Sequence, residues 1–244
     1  LRRSVSSSLR GAARSPRVKR ALYASGALEA MHRIRNRRAL TVIMFHRVLA
    51  ERDPRWATCD PEYSISDTLF AESLAFFRRH YHVVSQDDVL AARAGIRALP
   101  ERPLLITFDD GWSDNEEFAL AHLQRARLPA LLFVVSDVID RDEPFFQEQT
   151  VNAWRAGRLS PTLCAALWRD AGGDPGREPR FAAPPPGRGG VDEATLAPIR
   201  ALIGQLEALT PAARALALAP AAAALRDGVR YMITADQLAR LVRG

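Results

Sequence analysis

Short apolar runs and amphipathic stretches alternate over residues 40–135. Residues 40–45 predict a first strand, brief and rich in β-formers. A loop carrying Pro54 and Pro61 follows. Phe70, Leu74, Phe77 and Tyr81 then recur at helical spacing, which predicts an amphipathic helix. Ser64, three residues ahead of Asp67, or Ser66 can cap it. Residues 82–85 predict a second strand. Ser85 and Asp88 then make a capping box, and Gly95 is placed to stop the helix it starts. Residues 103–108 predict a third strand, Ser113 with Glu116 caps a helix through Arg127, and residues 130–135 predict a fourth. Such alternation argues for right-handed βαβ units and a parallel sheet, an α/β fold.

Beyond Asp140 the rhythm breaks. Pro144, Phe145 and Phe146 start a helical insertion that runs through Trp154 and on to Leu167 and Trp168. Residues 171–190, rich in Pro and Gly, predict an irregular loop. Two alanine-rich helices are expected over residues 192–208 and 211–225, with Pro198 and Pro220 limiting them. Thr234 and Gln237 cap a last helix that ends at Gly244. The organisation expected is therefore four parts: a basic arm over 1–38, strand–helix units over 39–140, an insertion over 141–230, and a returning helix over 231–244.

Composition adds little until charge is placed along the chain. Over 244 residues, 48% hydrophobic and 25% charged content are ordinary for a globular protein with one sizeable domain. The net charge is +6, yet residues 1–38 hold eleven Arg and Lys against the single acid Glu29. The arm is thus +10 and the remainder −4. Within it Ala21, Ala24, Leu28 and Met31 share one helical face. Arg20 and Arg35 intrude on that face and Ala dominates it, so a solvated or packing helix is the plainer reading, with peripheral contact on an anionic membrane as the alternative. No nucleic-acid partner is expected. No run of eighteen apolar residues spans a bilayer, and the start lacks the apolar core of a secretory signal. A cytoplasmic or membrane-peripheral location is favoured, with export left open. Cys59 and Cys164 stand far apart without CxxC spacing, so two inert thiols are expected, not a disulfide or metal knuckle.

The candidate chemistry sits at the end of the third strand. Leu104-Leu105-Ile106-Thr107-Phe108 runs straight into Asp109-Asp110-Gly111. Ligands of α/β folds gather at the carboxyl ends of strands. Two adjacent acids raise each other's pKa, and a cation relieves them. One carboxylate can ligate a metal while the other serves as base, which suits hydrolysis by metal-activated water. The competing reading is a plain Asp-Gly turn. Gly111 is expected to take a backbone angle that a side chain forbids, and Ser113 to serve as a helix cap. His46, at the end of the first strand, and Trp112 are candidates for the substrate-facing rim. A hydrogen-bonded rim histidine is the plainer alternative for His46. His80, His82 and His122 are expected to be structural or surface residues. No Gly-x-Ser-x-Gly elbow or Ser-His-Asp spacing supports acyl-enzyme chemistry.

Thr107-Phe108-Asp109-Asp110-Gly111-Trp112 resembles the first signature of the polysaccharide deacetylases with a NodB-homology domain, carbohydrate esterase family 4. Phe45-His46-Arg47-Val48 resembles the Tyr-His-Arg-Val opening of many bacterial members. Leu128-Pro129-Ala130 leading into Leu131-Leu132-Phe133-Val134 is similar to the family's next helix-to-strand step. The resemblance covers roughly residues 40–140, with a weaker echo over 231–244. It implies the N-terminal part of a distorted (β/α)7 barrel with a helical insertion, and hydrolysis of N-acetyl amides on an N-acetylated glycan. It implies Asp109 as general base and Asp110 as ligand of a divalent metal, usually zinc. Two further histidine ligands belong downstream, in a His-Ser/Thr-x-x-x-His-like segment, and only His122 follows Asp110. The expectation is an incomplete copy, not competent as a metallohydrolase by itself. The alternatives are an inactive glycan- or membrane-binding relative and a hydrolase of another C–N amide on the same scaffold.

Overall fold

The computed structural model describes Ile34, residues 36–185 and residues 191–243. The basic arm, with the membrane contact weighed as an alternative for it, lies almost wholly outside these residues. The described chain divides into two units. One takes in the residues up to Ile43 and Phe76–Ile106, and the other takes in Met44–Ala75 and the residues from Thr107 onward. Among the described residues no helix is long and apolar enough to cross a membrane.

The strands are β1 (Thr41–Phe45), β2 (Arg47–Leu49), β3 (Ser64–Ser66), β4 (His82–Val83), β5 (Pro103–Phe108) and β6 (Leu131–Leu132). β5 is the centre of the larger sheet, in the order β1-β5-β4 with β6 also on β5. β4 runs parallel to β5 with His82 opposite Pro103, and β6 runs parallel to it with Thr107 opposite Leu131. Every residue of β5 is buried, as a continuous apolar run requires. The mixed α/β architecture with parallel strands is thus present.

The fourth strand is shorter than the predicted 130–135. After Leu132 the chain follows the end of β5 through two single bonds, Phe133 N–H to Phe108 O at 2.8 Å and Val135 N–H to Asp110 O at 3.3 Å. It then turns at Ser136–Val138. β2 and β3 were not foreseen. They pair in parallel with Val48 opposite Ile65, and each is only three residues long.

α1 (Asp67–His80) and α2 (Gln86–Arg93) follow the predicted periodicity and capping. Ser66 Oγ accepts the Leu69 N–H at 3.2 Å, and Ser85 with Asp88 forms the reciprocal box. Phe70 of α1 meets Phe45 and Phe108, with ring centres 5.1 and 5.8 Å away. These are the last residues of β1 and β5, so one aromatic cluster fixes both strand ends from which His46 and Asp109 project.

α3 (Leu120–Ala126) begins later than expected, after a π-turn over Asn115–Ala119. Ser113 does not cap it. Its hydroxyl accepts from Arg55 Nη1 at 3.2 Å, and the Asp114 carboxylate is also turned away, toward Arg47.

The insertion is helical: α4 (Phe146–Arg155), α5 (Pro161–Asp170), α6 (Glu193–Glu207), α7 (Pro211–Leu218) and α8 (Ala222–Leu225). Trp154, Leu159, Leu167, Trp168, Leu196, Ile199, Leu202 and Leu206 form its core. Pro198 lies inside α6 instead of limiting it. The lost backbone bond falls near the start of that helix, where Leu196 and Ile199 on either side of it are buried. Pro220 does interrupt, at a 3-10 turn between α7 and α8. The irregular stretch is tied down by two indoles, Trp154 donating to Ala182 O at 2.8 Å and Trp168 to Asp174 O at 3.3 Å. α9 (Ala235–Arg243) carries the predicted cap, Gln237 N–H donating to Thr234 Oγ1 at 3.1 Å.

Candidate functional site

The apolar run of β5 meets its two acids at a tightly bonded bend. The Asp109 N–H donates to Phe45 O at 3.0 Å, so the acid loop starts against the end of β1. Asp110 and Gly111 both take positive φ, 77° and 88°. A non-glycine residue at such an angle is uncommon, and strain of this kind concentrates at functional sites. At Gly111 a Cβ would stand 2.8 Å from Val134 Cγ1, so only glycine fits. The loop is clamped from outside by residues 231–233. Ile233 N–H donates to Gly111 O and Ser113 N–H to Tyr231 O, each at 2.9 Å, around an antiparallel bridge between Trp112 and Met232.

Three of the predicted side chains meet. The Trp112 indole N–H donates to Asp110 Oδ2 at 3.1 Å. His46 Nε2 lies 3.9 Å from the same oxygen. Both the histidine and the aspartate keep partial access to solvent. Among the described residues, Asp109 has no side-chain hydrogen-bond partner, although it is half-buried beside them. One acid is thus held while its neighbour is left free.

The other histidines lie elsewhere. His82 Nδ1 is 2.6 Å from Glu101 O. His80 rests on Phe76 with ring centres 4.5 Å apart, and His122 faces Phe70 at 6.2 Å. Among the described residues, no three His, Cys, Asp or Glu side chains stand together as metal donors. Asp110 and His46 make two, and catalytic zinc ordinarily takes three protein ligands. The residues present therefore do not fit a complete zinc centre. Cys59 and Cys164 are free and buried. Burial pushes each thiol up to about 11, which suits unreactive thiols.

A buried charge cluster that sequence reasoning missed supports the loop. Arg47 follows His46 directly and is wholly buried. Its Nε donates to Asp114 Oδ2 at 2.9 Å and its Nη1 to Glu148 Oε1 at 2.5 Å. Its guanidinium lies 4.6 Å from the centre of the Trp112 ring and 5.3 Å from that of Tyr231, a cation–π arrangement on the indole that holds Asp110. The second Asp114 oxygen accepts the Val48 N–H at 3.0 Å. The two carboxylates hold Arg47 charged. Burial pushes both Asp114 and Glu148 above the ordinary carboxylate range, and the neighbouring Arg47 offsets this only in part. Alongside, Arg55 bonds Asp53 at 2.9 Å and also reaches Glu117. An arginine inside an apolar run was a signal for such a cluster. Its partner Glu148, about a hundred residues on, had none.

No protein-family model matches this chain, and no curated protein matches it. Several solved structures do. The de-N-acetylase from Aggregatibacter actinomycetemcomitans is 24% identical over 42% of this chain and 39% of its own, with a TM-score of 0.36. IcaB from Ammonifex degensii is 25% identical over 48% of this chain and 49% of its own, with a TM-score of 0.37. The BpsB deacetylase domain from Bordetella bronchiseptica is 25% identical over 43% of each chain, with a TM-score of 0.33. This chain spans less than half the length of each of these three.

Proposed function

We propose that the protein removes N-acetyl groups from an N-acetylated glycan, with Asp109 as general base. The observation that carries this is the division at the strand end: Asp110 is engaged by Trp112 and stands beside His46, while the Asp109 carboxylate has no side-chain hydrogen-bond partner among the described residues. Its motif context, Thr107 to Trp112, is the one that resembles the deacetylases. Asp109 takes a proton from water as the water oxygen attacks the acetyl carbonyl carbon. The carbon–nitrogen bond then breaks. The products are acetate and a free amine, so the proton taken from water ends on nitrogen. His46 and Trp112 form the rim around the acyl group. The parallel sheet is, on this reading, the early part of a (β/α)7 barrel. Residues 39–140 supply its strands, 141–230 an insertion, and 231–244 a helix that returns to it.

The test is acetate release from N-acetylated glucosamine oligomers by the purified protein, with divalent metals supplied, compared with Asp109→Asn. Release that vanishes in the variant is the expected result. Equal release from both would sink Asp109 as base. The two-donor set around Asp110 favours a second reading, a relative that binds glycan without turning it over. Glycan binding with no acetate from any N-acetylated oligomer would select it.

A further inference from the structure

Tyr63 stands at the edge of the acid site with no part in the chemistry above. Its backbone is fixed on both sides, the carbonyl accepting the Arg47 N–H at 3.0 Å and the N–H donating to Asp60 O at 3.3 Å. Its ring centre lies 5.0 Å from that of His46, edge to face, and His46 is the residue beside Asp110. Even so, 42% of Tyr63 is exposed. A single exposed aromatic residue is ordinary on a protein surface. This one is braced.

The brace is Arg200, on α6 of the insertion. Its Nη2 bonds Asp60 Oδ1 at 2.6 Å and Glu62 Oε2 at 2.9 Å, and its Nη1 takes the other Asp60 oxygen. Its guanidinium lies 5.8 Å from the centre of the Tyr63 ring. Asp60 is itself buried, so a two-pronged guanidinium–carboxylate pair anchors the loop at a fixed geometry. Asp60 and Glu62 sit just before Tyr63 in sequence. One arginine from the insertion thus holds both the loop and the ring. Partial burial and the nearby Glu62 also push the phenol above its ordinary range, so the hydroxyl is a neutral donor at neutral pH.

A rigid, half-exposed ring against the histidine that stands beside Asp110 suits one class of ligand. A pyranose carries a face of C–H groups, and the negative face of an aromatic ring attracts them while burying apolar area. A tyrosine gives that contact at low conformational cost, with a polar tip left for a sugar hydroxyl. We propose that Tyr63 is the sugar-stacking platform of this site. An N-acetylated hexosamine rests on its ring with the acetamido group toward Asp109, and Arg200 is the positioning residue that holds the ring. The orientation of the acetamido group rests on the deacetylase reading. The stacking does not.

Calorimetric titration with triacetylchitotriose tests it, using the whole chain, Tyr63→Ala, Tyr63→Trp and Arg200→Met, each first checked for a native melting transition. Tyr63→Ala is expected to weaken binding about three- to tenfold, the worth of one aromatic contact. Tyr63→Trp is expected to keep or improve it, and Arg200→Met to weaken it by less than Tyr63→Ala. Binding by Tyr63→Ala equal to that of the unaltered chain would overturn the platform. So would a loss in Tyr63→Trp as large as in Tyr63→Ala, or no binding by the unaltered chain at millimolar sugar. Acetate release separates the two ideas. Release by the unaltered chain with binding indifferent to Tyr63 removes the platform and leaves the deacetylase. Tyr63-dependent binding without release removes the deacetylase and leaves the platform.

Discussion

The acid loop and the helical insertion are held in place by opposite means. The loop depends on positive backbone angles at Asp110 and Gly111, an indole bonded to a carboxylate, and a buried arginine shared by two acids. The insertion depends on apolar packing of Trp, Leu and Ile side chains from α4, α5 and α6. Two charged residues carry the insertion into the site: Glu148 of α4 reaches Arg47, and Arg200 of α6 reaches Asp60. The difference predicts different tolerance. The insertion core should accept substitutions that keep volume, as packed cores do. The loop should accept very few, because each of its devices is specific to one atom.

The sharpest break in that comparison is chemical. Asp109→Asn keeps shape and removes only the base, so kcat should fall by about 10²–10⁴-fold while the melting temperature stays within a few degrees. A steady-state assay of acetate release reads this. A variant that loses fold together with activity would make Asp109 a structural residue. Next in size is Arg47→Met, which removes the ion-pair partner of both Asp114 and Glu148 and leaves Asp114 only the field of Arg55. Removing one partner of a buried ion pair costs about 3–5 kcal/mol, measurable by urea unfolding. A loss under about 1 kcal/mol would show that the two acids are neutral in the native protein and need no partner.

Those two residues also mark the limit of what was legible from sequence. The bend after Phe108 could be placed because an apolar strand ending in two acids and a glycine is a local pattern. The same holds for Ser85 with Asp88 and Thr234 with Gln237, whose caps span three residues. Arg47 could not be placed the same way. Its role depends on Glu148 and Tyr231, far along the chain, and on burial that hydropathy argues against. The acid loop misled in one detail. Ser113 and Glu116 have capping-box spacing, but Arg55 takes the Ser113 hydroxyl and a π-turn delays α3. Tertiary charges outbid a local cap. Pro198 misled for a related reason, since buried neighbours on α6 carry the helix past it.

Leu202→Ala tests the insertion side. Leu202 is wholly buried in the helical core, so the cavity should cost about 2–5 kcal/mol, while Leu202→Met should cost less than about 1.5 kcal/mol. Equal losses from both would mean the insertion is as intolerant as the loop, and the comparison would fail. Gly111→Ala probes the loop with one methyl group. The residue has φ of 88° and the new Cβ would sit 2.8 Å from Val134 Cγ1, so a loss of about 1–3 kcal/mol is expected. The same substitution at Gly157, φ 72° with open space around it, should cost less. If the two cost the same, backbone angle alone matters and Val134 does not constrain the loop.

The smallest effect separates the two regions by pH. Burial holds Asp114 and Glu148 above the ordinary carboxylate range, so in the folded protein they keep protons that the unfolded chain has already released. The folded state then binds more protons, and stability falls as pH rises. Their contribution is whole below about pH 4, where unfolded carboxylates are protonated too. It is lost as pH climbs through their raised native values. For one such group the slope is at most about 1.4 kcal/mol per pH unit. Chemical denaturation at a series of pH values should show this fall, and Glu148→Gln should flatten it, because the amide keeps a polar oxygen near Arg47 without a titrating proton. Leu202→Met, in an apolar core whose Cys164 thiol is pushed up to about 11 and stays neutral over this range, should leave the slope unchanged. A slope that survives Glu148→Gln and Asp114→Asn intact would place its origin outside the Arg47 cluster. The loop would then lose its distinguishing dependence on buried charge.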